Sequence, residues 1–242
     1  MLNERHDPVG TLTGSEPPHR RVAWWVLVCA ALCPTLPTAG WLVGDAVQPE
    51  GYSPVHQTIS ILAGHAGAHR WIVTSALVLV GVCYGAIAAG LTALRRPARI
   101  GLAVGGASAI GVALCPEPVR GTTVQHLTFA VICTASLAAW PALTAWRGPR
   151  TCAVVSVPVA AVTTGLFVAM LGWLFVEAQT DGLVGLAERI DTSIQACWPF
   201  VVAMALQRAA PAAVATAAAP ATATAAISPA ATAEGLGITA EG

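Results

Sequence analysis

Glu188, Asp191 and Gln195 stand at i, i+3 and i+7, a spacing that places two carboxylates and an amide on one face of a helix. Arg189 lies beside them with a planar guanidinium suited to gripping a carboxylate. The stripe enters an otherwise apolar stretch, so it must face protein or water and not lipid. Ile190, Ile194 and Trp198 fall on a different, lipid-compatible face. Two readings stay open: an interfacial cap of solvated charges with one ion pair, or the wall of a ligand or catalytic pocket. Arg189 cannot shed its proton, so it must snorkel or pair. A carboxylate from another helix is the expected partner, with Glu117 and Glu177 as the candidates.

Further polar groups gather at neighbouring segment ends. These are Asp45, Glu117 just after Cys115-Pro116, His126 in the first turns of the next segment, and Glu177. His56, His65, His69 and His126, with Glu117, Glu188 and Asp191, include the side-chain types that ligate metals. His65 and His69 stand at i,i+4, but just after Gly64 and around Gly67, where a helix is not expected, and no HExxH or HxxxH pattern falls on a span, so no metal and no cofactor is assigned. A Ser/His nucleophile pair, Ser53 or Ser60 with His56 or His126, lacks any nucleophile-elbow context. The 7 cysteines fall within apolar stretches or at their edges and read as small buried hydrophobes.

The elements that must position these residues are six apolar stretches, at 22–44, 71–94, 100–115, 124–146, 152–176 and 184–207. A helix needs about 20 apolar residues to cross a bilayer core, and backbone satisfaction in lipid makes such spans a helix bundle. Composition agrees, with 55% hydrophobic and 10% charged residues. The expected fold is therefore all-α, a polytopic transmembrane bundle of six spans. Zero net charge offers no basic face, so nucleic acid is not an expected partner. Membrane lipids are. His19-Arg20-Arg21 before the first stretch resembles a secretory n-region, but the stretch is long and five more follow, so an uncleaved first helix is expected.

All 12 basic residues are Arg, which with the abundant Ala suggests a GC-rich bacterial genome and hence a bacterial plasma membrane. Nine of them (Arg5, Arg20, Arg21, Arg95, Arg96, Arg99, Arg147, Arg150, Arg208) fall on one side of a six-span topology and three (Arg70, Arg120, Arg189) on the other. The positive-inside rule then puts both termini in the cytoplasm. Trp24, Trp25, Trp71, Trp140 and Trp146 are expected at the headgroup layer. Pro34 and Pro37 are expected to kink the first helix, Pro158 the fifth and Pro199 the sixth. Gly81–Gly85 and Gly101–Gly105 form GxxxG pairs that permit close backbone approach. The short, Gly-rich third span is expected in the interior.

The longest outer loop, 45–70, contains a candidate amphipathic helix near 53–63, with Ser53 as N-cap, Pro54 at the first helical position and Gly64 as the stop. It reads as a lid lying over the polar ring. Residues 1–21 read as a cytoplasmic tail. Residues 208–242, rich in Ala, Thr and Pro, read as a disordered cytoplasmic tail, with Pro211, Pro220 and Pro229 breaking any long helix.

Gly51-Tyr52-Ser53-Pro54, Thr58-Ile59-Ser60-Ile61-Leu62-Ala63 and Arg70-Trp71 resemble the first outer loop of the DUF998 family. Cys115-Pro116-Glu117, His126 and Gly185-Leu186-Ala187-Glu188-Arg189 extend the resemblance across about 22–207. It implies a six-span bacterial or archaeal membrane protein of unknown function, and no catalytic residue. His56 and the Ala-rich tail have no counterpart in that pattern.

The leading functional expectation is a non-enzymatic membrane protein with an outward-facing polar cavity. That cavity would bind a lipid headgroup or small amphiphile for transport, sensing or envelope upkeep, through His56, Glu117, His126, Glu188, Arg189, Asp191 and Gln195. The alternatives are a lipid hydrolase or transferase at the outer leaflet, with Glu117, His126 and Asp191 as acid/base or metal groups, and a scaffold subunit without a ligand. No ionisable group stands clearly at mid-span, which argues against a proton-coupled pump.

Overall fold

The computed structural model describes residues 21–145, 152–180 and 182–218. Arg5, Arg20, Trp146, Arg147, Arg150, Asp181, Pro220 and Pro229 lie outside the described residues, as does all but the start of the expected C-terminal tail. Seven α-helices follow in order: α1 (Trp24–Ala46), α2 (Ile59–Ala63), α3 (Trp71–Gly90), α4 (Arg96–Leu114), α5 (Val124–Thr144), α6 (Val157–Thr180) and α7 (Val184–Ala218). α1, α3, α4, α5 and α6 are long and apolar enough to cross a membrane. α7 is longer, at 35 residues, but Glu188, Arg189 and Asp191 dilute the apolar character of its first half. The six expected stretches are thus six long helices, five of which qualify by length and composition alone.

Boundaries shift for local reasons. α3 ends at Gly90 because Leu91–Arg95 turns, and α4 begins at Arg96 with Pro97 in its first turn, where a missing N–H costs nothing. Pro158 is likewise the second residue of α6, so it opens that helix and does not kink it. α1 continues through Pro34 and Pro37, and α5 through Pro141. The backbone of α7 passes Pro211 and reaches Ala218. The expected break there is not seen, in keeping with the strong helix propensity of the surrounding alanines.

α4 packs between α3 and α5, and α3 between α1 and α4, while α6 covers α5 and α7 from outside. α3 and α4 are the most buried long helices and α6 the least, as the Gly-rich third stretch led one to expect. The closest approach joins α3 to α4. A Cβ on Gly81 would stand 2.6 Å from the Gly106 carbonyl oxygen, and one on Gly106 equally 2.6 Å from that of Gly81. Gly81 belongs to an expected GxxxG pair. Its partner in space does not, and Gly85 meets nothing within 4 Å.

The main core lies toward the end where the chain enters and leaves the bundle, built from Val26, Ala30, Tyr84, Ile87, Leu102 and Trp140 among others. Trp140 is 1% exposed and donates its indole N–H to the Ala98 carbonyl at 2.8 Å. The expected headgroup position is therefore wrong for Trp140, because the indole finds a backbone acceptor inside the bundle. Trp24 and Trp71 are exposed, and Arg70 sits over the Trp71 ring. At this same end the Val22 N–H donates to Gln207 Oε1 at 2.9 Å, so the start of α1 and the latter part of α7 are side by side. At the opposite end Ile59, Leu62 and Ala63 of α2 form a smaller cluster with Val73 of α3.

Candidate functional site

The opposite end of the bundle is roofed by the 45–70 loop, and Arg189 holds that roof. Its Nη1 donates to three carbonyls, Pro54 at 2.7 Å, Gln57 at 2.8 Å and Gly185 at 3.0 Å. Its Nη2 reaches Asp45 Oδ1 at 2.7 Å and the Tyr52 hydroxyl at 2.6 Å. Tyr52 in turn donates to Asp45 Oδ1 at 2.7 Å. Burial and that hydrogen bond hold the Tyr52 hydroxyl well above the usual tyrosine range, so it stays a neutral donor.

The carboxylate from another helix is thus Asp45, at the end of α1. The expected partners are engaged elsewhere. Glu177 accepts from the Trp173 indole and the Leu183 N–H, and Glu117 lies beside His126. Glu177 also sits inside α6 and not beyond it.

The same bonds explain why the loop helix is shorter than the expected 53–63. Only Ile59–Ala63 is helical, with Thr58 as N-cap. The Ser53 carbonyl accepts from His56 and Gln57, but the turn goes no further. The carbonyls of Pro54 and Gln57 point to Arg189, and that of Val55 accepts from Leu186. Charge-assisted bonds to a guanidinium outcompete a weak first helical turn. Gly64 ends the helix as expected.

Inside the roof, Glu188 accepts from the Ile59 N–H at 2.5 Å and lies 3.3 Å from Ser60 Oγ. Ser60 Oγ is 3.2 Å from His126 Nε2. His126 is 2% exposed, and its Nδ1 is 2.7 Å from the Cys115 carbonyl, which makes Nδ1 the protonated nitrogen. Glu117 Oε1 is 3.7 Å from Nε2. Ser60 has one hydroxyl proton between a carboxylate and an imidazole nitrogen. Satisfying both contacts takes one more proton, on Glu188 or on His126.

Asp191 and Gln195 lie one to two turns deeper. They are 1% and 2% exposed, and Gln195 Nε2 donates to Asp191 Oδ1 at 2.8 Å. Asp191 Oδ2 has no protein partner. Ile190, Ile194 and Trp198 are half-buried, and Trp198 meets Phe167 edge-on across α6 and α7.

Of the residues singled out from sequence, Glu188, His126 and Glu117 come together around Ser60. Arg189 stands apart in the roof clamp, and Asp191 with Gln195 forms a deeper pair. His56 is exposed on the rim and bonds the Gly182 carbonyl at 2.8 Å; it does not join the cluster. Ser60, Tyr52 and Asp45 carry more of the arrangement than the spacing suggested. The sequence signal was membership of the quoted loop motifs for Tyr52, a place at a helix end for Asp45, and for Ser60 the loop motif together with a Ser/His pairing that lacked a nucleophile-elbow context.

Between the roof cluster and the main core lies a cavity of about 100 Å³. It occupies the space where α5 and α7 barely meet. Its walls are mainly apolar, with Val73, Leu77, Val112 and Leu137, while Ser60, Glu188, Thr192 and Gln195 line its polar part. The ring of polar groups mostly bonds to itself, and the space beneath it is apolar-walled.

Long apolar helices with outward side chains such as Leu79, Val82, Val162 and Phe175 exposed define a multi-span α-helical membrane protein. The chain belongs to the DUF998 family, described as a protein of unknown function, whose pattern matches residues 31–205. A search of the curated proteins and of the solved structures gave no match.

Proposed function

We propose that this protein binds a small amphiphile inside the bundle, beneath the 45–70 roof. The observation that carries the reading is the cavity of about 100 Å³, apolar along its walls and lined on one part by Ser60, Glu188, Thr192 and Gln195. Such a space has room for a head group and a few methylenes, and few convergent polar groups on an apolar wall are what a ligand site requires. Protein purified from its native membrane should carry one stoichiometric amphiphile, read by native mass spectrometry. Ala109→Leu, which adds bulk at a cavity-lining position, should remove that mass while leaving the fold intact. Absence of any bound amphiphile in wild type would overturn the reading.

The bundle is proposed to sit in a bacterial plasma membrane with both termini cytoplasmic and the roof outside. Nine of 12 Arg on one side and the Val22–Gln207 contact between the two chain ends support this orientation. Reporter fusions at Arg5 and after Arg208 should both report the cytoplasm. One external signal would refute it.

A second reading is favoured by one distance, the 3.2 Å between Ser60 Oγ and His126 Nε2. With His126 neutral, Nε2 can take the Ser60 proton as Oγ attacks the carbonyl carbon of a lipid ester. That proton passes to the departing alkoxide, Ser60 is left acylated, and water completes the transfer. A fluorophosphonate probe should then label wild type at Ser60, and neither Ser60→Ala nor His126→Ala. An unlabelled wild type removes the hydrolase reading and leaves the binding reading standing.

A further inference from the structure

We infer that the amphiphile's head is an ammonium group and not a phosphate or carboxylate, an inference that rests on the binding reading above. The polar side chains on the cavity are Ser60, Thr134, Glu188, Thr192 and Gln195. Most of their donors are already spent. Gln195 Nε2 serves Asp191 at 2.8 Å, and the Thr134 hydroxyl serves the Ala130 carbonyl at 3.0 Å. The Ser60 proton is claimed by Glu188 and His126. What these groups still offer a ligand is mainly acceptors: the Glu188 oxygens, Gln195 Oε1 and the lone pairs of Thr134, with the second Gln195 Nε2 proton left as a donor. Thr192 alone keeps a hydroxyl outside the described hydrogen bonds.

The charge points the same way. Glu188 lines the cavity. Asp191 lies directly behind Gln195, 1% exposed and with Oδ2 lacking a partner. The nearby cation, Arg189, does not line the cavity. Both its terminal nitrogens are committed to Asp45, Tyr52 and three carbonyls, and its Nε is enclosed. The chain contains no Lys, and among the described residues no other Arg lines the cavity. A buried carboxylate without a counter-charge is costly, and Asp191 has Gln195 and no cation among its described partners. An ammonium brings three donors, no acceptor and one positive charge, which matches a donor-poor lining whose one charged side chain is the Glu188 carboxyl. A phosphate or carboxylate head would find few donors and face the Glu188 carboxyl.

The test uses the full chain in phosphatidylcholine nanodiscs and four probes of one chain length: dodecylamine, dodecanol, dodecyl phosphate and dodecanoate. Saturable binding is measured for wild type and Ala109→Leu, and the difference is taken as cavity binding. Dodecylamine should bind at least about tenfold more tightly than dodecanol, with no cavity binding of the two anions. Glu188→Gln should abolish the preference for the amine over dodecanol. An anion binding as tightly as the amine, or dodecanol binding equally well, overturns the ammonium inference and leaves the amphiphile reading intact. No cavity binding of any probe overturns both. The head-group series on wild type decides the matter even if Glu188→Gln does not fold.

Discussion

Arg189→Ala should destabilise the bundle by about 3–5 kcal/mol, the cost of removing one partner from a buried, hydrogen-bonded ion pair. The Arg189 side chain is 7% exposed and that of Asp45 16%, so solvent screens the pair little. Loss of the guanidinium strands the Asp45 carboxylate. It also leaves three carbonyls without their donor, two of them in the loop that forms the roof. Thermal unfolding in detergent should therefore show a clear fall in Tm, with roof peptides exchanging amide hydrogens faster than the main core. Arg120→Ala, in an exposed loop, should change Tm little, since exposed charges contribute about 0–1 kcal/mol. Equal, small effects from the two substitutions would reduce Arg189 to a solvated interfacial charge.

Gly106→Ala should destabilise by about 1–3 kcal/mol, the usual cost of forcing volume into a packed seam. The added Cβ would fall 2.6 Å from the Gly81 carbonyl oxygen and 2.9 Å from Tyr84 Cβ. Backbone cannot rotate away as a flexible side chain can, so α3 and α4 must separate. Gly165→Ala on α6 is the matched control, because nothing lies within 4 Å of that position. There the gain in helix propensity should stabilise by about 0.5–1 kcal/mol. The two variants thus predict shifts of opposite sign in one thermal-shift experiment. A neutral Gly106→Ala would mean that α3 and α4 do not approach as closely as described.

Hydropathy is a local, additive signal, and it carried the helix architecture. Six apolar stretches became six long helices, because a span declares itself by its own length and composition whatever its neighbours do. The gathering of Asp45, Glu117, His126, Glu188 and Arg189 at one end was legible for the same reason: charge is excluded from the apolar interior and collects at helix ends. The helical face carrying Asp191 and Gln195 followed from the 3.6-residue period alone.

Partner choice was decided by the tertiary structure. Arg189 meets Asp45 across 144 residues and Ser60 meets His126 across 66, and no periodicity within one segment encodes which helix ends become neighbours. The same long-range bonds truncated α2. The Pro54 and Gln57 carbonyls gained more from a guanidinium than from one helical turn, so the local N-cap and proline signals at Ser53 and Pro54 were outweighed. Trp140 carried the composition of an interfacial residue, yet a backbone acceptor at Ala98 drew it inside. Glycine spacing marked α3 and α4 as helices able to approach closely. Only their packing paired Gly81 with Gly106, since contact between helices depends on the relative height and rotation of both, which neither sequence segment contains alone.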